Sequence, residues 1–275
     1  MTDLSHSPDF PRITRAQQET WATGDFHEIS RQNAWMAEDL IRTVDPHAGE
    51  RVLDVACGSG TAALVAARRY CEVTGIDYVP ALIERARRRA DAWGFDVDFR
   101  VADAQDLPFD RHAFDHVVSV YGVQFAPDQA RAAAEMLRVC RPGGSIALAT
   151  PIAEGWSGEF FGIHARYAPP PPGLHPPLRW GTEAGLNELL GSGTISIRSE
   201  ERVSVQYYRS IDHAVQVFLT YFGPAIRTAG KLDESGRQAL ASDLHDVFAR
   251  HNRSNDGTAV VENRYLLTVA TVSPS

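Results

Sequence analysis

The chain has 275 residues, which suits one large domain or one domain with a sizeable insertion. Apolar residues make up 44% of it and charged residues 23%, a composition that excludes global disorder. Its 27 basic and 35 acidic side chains give a net charge of −8, which argues against a protein that wraps nucleic acid by neutralising phosphates.

The N-terminal region divides into a polar stretch and a helical pattern. The first residues are polar and carry Pro8 and Pro11, which favours a loose arm. From Glu28 to Val44 apolar residues recur at helical spacing, and the pair Asp45-Pro46 ends the run. We therefore predict an arm followed by one helix.

Short apolar runs then alternate with helical patterns as far as residue 150. The predicted strands are Arg51–Ala56, Cys71–Ile76, Val97–Val101, Phe114–Val120 and Gly144–Thr150. The predicted helices among them are Thr61–Tyr70, Ala81–Trp93 and Gln129–Val139. Alternation of this kind indicates βαβ units and a parallel sheet that is covered on both faces.

The pattern changes after Pro151. Residues 152–191 are rich in proline and aromatic side chains, and Thr182 is predicted to cap a short helix through Leu190. The later predicted elements are a strand at Val203–Tyr208, helices at Ala214–Tyr221 and Asp233–Arg250, and a closing strand at Arg264–Val272. The sequence thus predicts one doubly wound α/β domain with an insertion between its fifth and sixth strands.

The most informative segment is the glycine turn that follows the first predicted strand. The strand runs through Asp54 into Gly58-Ser59-Gly60-Thr61, where a helix begins. Glycine permits positive φ and lets a ligand approach the backbone, so we expect a nucleotide-type ligand here. The turn also fits the dinucleotide pattern G-x-G-x-x-A, which is weakly specific when it stands alone.

Three aspartates lie at the ends of successive predicted strands. Asp54 would repel the pyrophosphate of a dinucleotide, but it would attract the sulfonium and ammonium groups of S-adenosylmethionine. Asp77 lies where a carboxylate can accept ribose hydroxyls, and Asp103 follows the third strand, where an adenine amino group would lie. Asp54 therefore favours S-adenosylmethionine, whereas Asp77 suits both ligand classes. The set as a whole indicates a ligand site, because ligands of open α/β sheets bind at the carboxyl ends of the strands.

The three cysteines, Cys57, Cys71 and Cys140, form no CxxC pair. This usage is typical of a reducing compartment and predicts neither a disulfide framework nor a metal site. No apolar run approaches the roughly 18 residues of a membrane span, and the first residues lack the apolar stretch of a signal peptide. We therefore predict a cytoplasmic protein without a membrane span; whether it forms a homodimer is left open.

Five motifs resemble, in order, those of class I S-adenosylmethionine-dependent methyltransferases, and most closely the branch similar to the ubiquinone/menaquinone C-methyltransferases (methyltransferase type 11). They are LDVACGSGT, VTGIDYVPALIERAR, FRVADAQDLPF, FDHVVSVYGVQFAPD and LRVCRPGG, and they span roughly residues 49–150. The resemblance implies a seven-stranded, mostly parallel sheet whose last strand is antiparallel. It also implies an enzyme that moves a methyl group from S-adenosylmethionine to a small-molecule acceptor, and it assigns no catalytic residue.

The resemblance further implies which residues contact the cofactor. Those at the methionine end would be Asp54, Ala56, Gly58 and Gly60. Those at the adenosine end would be Asp77 on the ribose, Tyr78 beside the adenosine, and Asp103 and Ala104 at the adenine. Ser119 would face the sulfonium. The segment Trp21–Phe26 resembles a flap that closes over the cofactor in some members, which adds Phe26.

This interpretation divides the chain into four segments. Residues 1–44 would form an arm and helix covering the cofactor site, and residues 45–150 the cofactor-binding core. Residues 151–258 would form a cap that shapes the acceptor pocket and includes the sixth strand. Residues 259–275 would form the closing antiparallel strand.

Acceptor contacts are expected from polar and aromatic side chains after the fourth strand and in the cap. The candidates are Tyr121, Gln124, Phe125, His164, His175, Trp180 and Tyr221. The insertion at 152–191, together with the two later helices, is predicted to roof a mainly apolar pocket. The basic run Arg85–Arg89 is predicted to be the solvated face of a helix.

Other classes of function remain open at this point. An NAD(P)-dependent oxidoreductase would use the same kind of sheet, but Asp54 and the lack of a Ser/Tyr-x-x-x-Lys arrangement disfavour it. A cofactor-binding module without turnover would keep the same motifs. An RNA methyltransferase is disfavoured by the net charge of −8 and by the lack of an appended RNA-binding segment.

Overall fold

The computed structural model of the chain describes residues 8–274 and centres on a seven-stranded sheet. The strands are β1 (Arg51–Val55), β2 (Glu72–Asp77), β3 (Val97–Val101), β4 (Phe114–Val120), β5 (Cys140–Pro151), β6 (Thr194–Tyr208) and β7 (Ala259–Val272). Their order is β3-β2-β1-β4-β5-β7-β6. β7 runs antiparallel to both β5 and β6, and the other paired strands are parallel. The predicted α/β fold with an antiparallel last strand is confirmed.

Helices cover the sheet and extend beyond it. They are α1 (Phe10–Trp21), α2 (Phe26–Ser30), α3 (Ala34–Val44), α4 (Thr61–Ala67), α5 (Pro80–Trp93), α6 (Gln129–Val139), α7 (Trp156–Tyr167), α8 (Glu183–Leu190), α9 (Ile211–Tyr221), α10 (Gly223–Ala229) and α11 (Glu234–His251). Among the residues that the structure describes, no helix is both long and apolar enough to cross a bilayer.

The start of the chain is helical where a loose arm is predicted. The side chain of Asp9 caps α1 by accepting the Arg12 N–H at 3.1 Å. Pro11 lies in the first turn of α1, where its missing N–H has no helical partner to lose. The prediction of a loose arm is therefore wrong for residues 10–21, and its first seven residues lie outside the described range.

Two hydrophobic clusters cover the two faces of the sheet. One face packs against α3, α4 and α5, whose buried side chains include Met36 and Ile83. The opposite face packs against α6 and α8, whose buried side chains include Met136 and Leu186. Both faces are thus closed by helices, as the near-continuous apolar runs of the parallel strands require.

A third hydrophobic cluster lies in helices that follow β5 and β6. It joins α7, α9, α10 and α11 to the far ends of β6 and β7. The Phe218 ring centroid lies 5.7 Å from that of Trp156 and 5.6 Å from that of Phe248. We call α7 and α9–α11 the cap, because they form a packed unit of their own beyond the sheet.

The β6–β7 hairpin extends past the rest of the sheet and carries the cap. β5 pairs with β7 only as far as Pro151 opposite Tyr265, whereas β6 continues beside β7 to Tyr208 opposite Ala259. Alternate residues of this extension are buried, among them Gln206 and Asn263. The extension therefore places two buried amide side chains next to the cap cluster.

The predicted insertion, residues 152–191, divides between two parts of the molecule. α7 belongs to the cap, as a roof requires, but α8 packs with α6 against the sheet. Trp180 is fully buried in that second cluster, and its carbonyl accepts the Thr150 hydroxyl at 2.9 Å. The predicted acceptor contact of Trp180 is therefore wrong, because this side chain is part of the core.

We expect Trp180→Ala to lower the free energy of unfolding by about 3–5 kcal/mol, because truncation leaves a large cavity in the core. Trp35→Ala is the control, since Trp35 is 59% exposed and its loss should change the value by less than about 1 kcal/mol. Urea unfolding of both variants measures the difference. Equal losses in the two variants would contradict the assignment of Trp180 to the core.

Candidate active site

The turn between β1 and α4 is held by two buried carboxylates. Asp54 accepts the Ala63 N–H, in the first turn of α4, through Oδ2 at 2.9 Å. Asp77, at the end of β2, accepts the Gly58 N–H through Oδ2 and the Val79 N–H through Oδ1, both at 2.9 Å. These bonds satisfy backbone donors at the helix start and tie the turn to two neighbouring strands.

The same burial makes both carboxylates hard to ionise. Asp54 and Asp77 are 1% and 6% exposed. Desolvation raises the pKa of Asp54 to about 7 and that of Asp77 to about 6, from an ordinary value of 3.8. No cation of the described residues lowers either pKa. Because both values are raised, the stability that these protons contribute is present below pH 3.8 and is lost as the pH rises through about 6 and 7.

The two glycines of the turn have different roles. Both have positive φ, 55° at Gly58 and 80° at Gly60. A Cβ on Gly58 would meet only the Phe26 ring, 3.9 Å away, and would enter a cavity that both residues line. A Cβ on Gly60 would overlap the Phe99 ring at 2.6 Å. Gly60 is therefore needed for packing, and it is not among the residues that line this cavity, where it is predicted to contact the cofactor.

The cavity beside Gly58 lies at the carboxyl ends of β1, β2 and β4 and has an empty volume of about 960 Å³. The predicted cofactor residues that line it are Phe26, Asp54, Ala56, Gly58, Asp77, Tyr78, Asp103 and Ala104. β1 lies between β2 and β4 here, which is the switch point at which doubly wound sheets bind their ligands. We call this space the cofactor cavity.

Ser119 does not line the cofactor cavity, although it is predicted to face the sulfonium. Its hydroxyl donates to the Val55 carbonyl at 2.7 Å and accepts the Val123 N–H at 3.0 Å. The side chain is 1% exposed. Ser119 thus joins the ends of β1 and β4 and positions the loop that follows β4, which is a structural role and a correction.

Several residues that line the cofactor cavity are not predicted from the sequence, among them Asn33, Leu82 and Gln105. Gln105 donates through Nε2 to Asp103 Oδ1 at 3.0 Å and to Thr14 Oγ1 at 3.0 Å. Gln105 directly follows the predicted adenine contacts Asp103 and Ala104, and this position could have identified it as a further cofactor contact. Trp21, which also lines the cavity, belongs to the segment predicted as a flap, whereas nothing in the predicted N-terminal helix marks Asn33 as a ligand contact.

The helices α1 and α2 lie over the cofactor cavity and join it to the cap. Gln18 donates through Nε2 to the Tyr78 carbonyl. The Trp21 ring centroid lies 4.8 Å from Phe125 and 5.6 Å from Phe222 of the cap. A Cβ on Gly223 would overlap the Thr20 carbonyl at 2.1 Å, so the two segments pack backbone to backbone. Residues 21–26 occupy the place expected of a flap.

The arginines of α5 are not simply a solvated face. Arg89 donates through Nη1 to the Ser59 carbonyl at 2.6 Å and to Thr61 Oγ1 at 3.1 Å, which supports the glycine turn from outside. Arg85 pairs with Asp25 in the link between α1 and α2. Arg88 is exposed, as predicted. The prediction holds for Arg88 but is wrong for Arg85 and Arg89.

The predicted acceptor residues divide into two groups. Tyr121 and Phe125 line both the cofactor cavity and a second cavity beside it. The residues Gln124, His164, His175, Trp180 and Tyr221 line neither. Gln124 is buried behind the loop, His175 is exposed, and Tyr221 uses its carbonyl to accept the Asp25 N–H at 3.2 Å. His164 packs behind the Phe160 ring, at a centroid distance of 4.6 Å.

The second cavity has an empty volume of about 420 Å³ and lies between the cofactor cavity and the cap. It is lined by Trp21, Phe26, Ile29, Asn33, Tyr121, Phe125, Trp156, Ser157, Phe160, Phe161, Gln206, Phe218, Phe222 and Asn263. The cofactor cavity shares Trp21, Phe26, Asn33, Tyr121 and Phe125 with it. We call it the aromatic cavity, because nine of its fourteen lining residues are aromatic.

Comparison with known proteins gives consistent results. Residues 52–144 match a family model described as a methyltransferase domain. An uncharacterized protein of Mycobacterium tuberculosis is 34% identical over 260 residues, which cover 91% of this chain and 92% of that protein. Aklanonic acid methyltransferase DauC of Streptomyces sp. (strain C5) is 34% identical over 156 residues, which cover 54% of this chain and 70% of that enzyme.

A solved structure of phosphoethanolamine N-methyltransferase 2 from Haemonchus contortus, in complex with S-adenosyl-L-methionine, matches the fold with a TM-score of 0.55. The identity is 19%, and the match covers 87% of this chain and 52% of that chain. The chain belongs to the class I S-adenosylmethionine-dependent methyltransferases. The predicted family, enzyme class and cofactor are confirmed, and the oxidoreductase alternative is set aside.

The residues of this methyltransferase fit its cofactor. S-adenosylmethionine supplies an electrophilic methyl group on a sulfonium cation when it is bound. Asp54 and Asp77 offer buried negative charge that no cation of the described residues neutralises. Gly58 leaves the backbone open toward the cavity, and Asn33 Oδ1 is buried without a hydrogen-bond partner among residues 8–274. The cavity therefore suits a ligand that carries positive charge and hydrogen-bond donors.

We expect Gly58→Val to weaken S-adenosylmethionine binding by at least about tenfold, because the side chain would occupy cofactor space. Gly94→Val is a matched control: Gly94 also has positive φ, and a Cβ there meets nothing within 4 Å. Both variants should lose a similar amount of stability from left-handed strain. Calorimetric titration separates the effects, and normal binding by Gly58→Val would exclude the turn from the site.

The contacts of Arg89 predict a further, smaller effect. Arg89→Ala should lower the affinity for S-adenosylmethionine several-fold, because its hydrogen bonds to the turn are worth about 1–3 kcal/mol when one partner is charged. Arg88→Ala is the matched control on the same helix, since Arg88 is exposed. The two affinities are measured by the same titration. An Arg89→Ala variant that binds as tightly as Arg88→Ala would show that the turn does not depend on this arginine.

Proposed function

We propose that this methyltransferase transfers the methyl group to a small-molecule acceptor bound in the aromatic cavity. One observation carries the proposal: the aromatic cavity and the cofactor cavity share five residues of their walls. An acceptor in the aromatic cavity and a cofactor in the cofactor cavity would therefore be neighbours along the wall that Tyr121 and Phe125 help to form. The cap then excludes water from the point of transfer.

The proposed cofactor contacts follow the lining of the cofactor cavity. Asp54, Ala56 and Gly58 would hold the methionine end, and Asp77 would accept hydrogen bonds from the ribose. Tyr78, Asp103 and Ala104 would surround the adenosine, and Phe26 would cover it from the flap. Gly60 and Ser119 shape this site from behind without contacting the ligand.

The acceptor side offers alignment rather than acid–base chemistry. Among the described residues that line the aromatic cavity, none carries a charge. Burial raises the pKa of Tyr121 to about 12, so this hydroxyl stays protonated at neutral pH. The chain would therefore contribute orientation and water exclusion, and the accepting atom would have to be nucleophilic without a strong base.

The relatives support an acceptor of small size. DauC is named for aklanonic acid, and a demethylmenaquinone methyltransferase of Clavibacter sepedonicus is 40% identical over 53% of this chain and 60% of its own length. We propose the same broad class of acceptor here.

Residues 45–150 would bind the cofactor, while 1–44 and 151–258 would enclose the acceptor. All three cysteines are thiols, which supports a reducing compartment such as the cytoplasm.

The proposal is tested by following the label from methyl-labelled S-adenosylmethionine into a whole-cell extract of the source organism. We expect the label in the low-molecular-weight fraction and not in protein or RNA. Phe161→Arg should abolish the transfer with cofactor affinity kept within about twofold, because Phe161 lines only the aromatic cavity. Phe161→Leu should retain transfer. Label in a macromolecule, or full activity of Phe161→Arg, would contradict the proposal.

A further inference from the structure

The polar groups of the aromatic cavity include two buried N–H donors without a partner. Trp156 and Asn263 line the cavity and are 4% and 1% exposed. Trp156 Nε1 and Asn263 Nδ2 have no hydrogen-bond partner among residues 8–274. A buried donor left without an acceptor is costly, so both groups point to an acceptor supplied by a ligand.

The surroundings of Asn263 explain why its Nδ2 group is the one available. Its Oδ1 accepts the Ser157 hydroxyl at 2.7 Å and faces the Tyr121 hydroxyl at 3.5 Å. The two hydroxyls thus engage the amide oxygen, and the amide nitrogen is left without a partner among residues 8–274. Ser157 directly follows Trp156 in the first turn of α7, and Asn263 lies on β7. The start of one helix and one strand therefore position these three residues.

The remaining wall excludes a charged ligand. None of the described lining residues is charged, and nine of the fourteen are aromatic. His164, behind the Phe160 ring, supplies no cation, because burial lowers its pKa to about 4. An anion placed here would lose its hydration and gain no counter-charge. Flat apolar rings, in contrast, pack well between aromatic walls.

We propose that the aromatic cavity selects a neutral, planar aromatic carbonyl compound, whose carbonyl oxygen accepts hydrogen bonds from Trp156 Nε1 and Asn263 Nδ2. The inference rests on the proposed function, since it names the substrate class of the same acceptor site. The flat ring lies between the phenylalanines of α7 and α9–α10. The two N–H donors fix its orientation and reject a ring system of equal size that lacks the oxygen.

Three probes of nearly equal size test this selection. They are 2-acetylnaphthalene, which has a neutral carbonyl, 2-isopropenylnaphthalene, which has the same shape without the oxygen, and 2-naphthoate, which is anionic. Their affinities are measured by calorimetry on the full chain, with and without saturating S-adenosylhomocysteine. We expect the acetyl compound to bind at least about tenfold more tightly than either of the others, as one or two hydrogen bonds would give.

Two variants connect the preference to the donors. Asn263→Leu and Trp156→Phe should each reduce the affinity for the acetyl compound toward that of the hydrocarbon, while the affinity for S-adenosylhomocysteine stays unchanged. Trp156→Phe serves as the second variant should Asn263→Leu fold poorly, because it keeps an aromatic ring in the cap cluster.

The inference is overturned if the wild-type protein does not prefer the acetyl compound, if it binds none of the probes, or if the preference survives in the folded variants. A failure of the proposed function is distinguishable from this result. In that case the label-transfer experiment fails or marks a macromolecule, whereas the probe affinities are measured independently of any turnover.

Discussion

Two buried carboxylates that have no counter-charge within the described chain determine the architecture of the cofactor site. Asp54 and Asp77 are buried because the β1–α4 turn uses them as acceptors for the N–H groups of Ala63, Gly58 and Val79. The hydrogen bonds make the turn rigid, but they do not compensate fully for desolvation, so both pKa values remain raised. In the proposed function, the cationic methionine end of the cofactor would supply the missing charge at Asp54, and the ribose would donate hydrogen bonds to Asp77.

The elements around the β1–α4 turn support it and cover the two carboxylates. Arg89 supports the turn from α5, Ser119 joins β1 to β4, and the helices α1 and α2 cover the opening. The cap supports this cover through Phe222, which packs on Trp21. Because Asp54 and Asp77 are buried, electrostatic interactions with them are stronger than they would be at the surface.

The cap has a separate origin in the fold. β6 and β7 pair beyond the edge of β5, and this extension supports a hydrophobic cluster that is distinct from the two clusters on the sheet. Asn263 therefore comes from a strand of the sheet, although it lies among cap residues.

Much of the core was predictable because local patterns and global fold agree there. The strands Val97–Val101 and Phe114–Val120 and the helix Gln129–Val139 have the predicted bounds. Buried parallel strands give continuous apolar runs, and the turn that follows β1 is marked by its glycines and aspartate. The number of strands and the antiparallel direction of β7 followed from the family resemblance.

The errors arose where tertiary packing decides the role of a residue. Residues 194–202 of β6 lie on a sheet edge and carry charges such as Glu200 and Glu201, which conceal the strand pattern. Trp180 lies in a proline- and aromatic-rich segment typical of ligand contacts, but its side chain packs in the core. Gly60 is needed because the Phe99 ring lies against it. Gln206 and Asn263 gave no signal, because a single amide in a strand does not reveal which face it occupies.

The central claim is that Asp54 is a buried carboxylate whose charge is completed by the cofactor. Carbon-13 NMR of protein labelled at the aspartate carboxyl groups, with Asp54→Asn for assignment, measures its titration directly. The account predicts an apparent pKa near 7 without cofactor and a value below about 4 with S-adenosylmethionine bound. An Asp54 pKa near its ordinary value of 3.8 in both states would contradict the account.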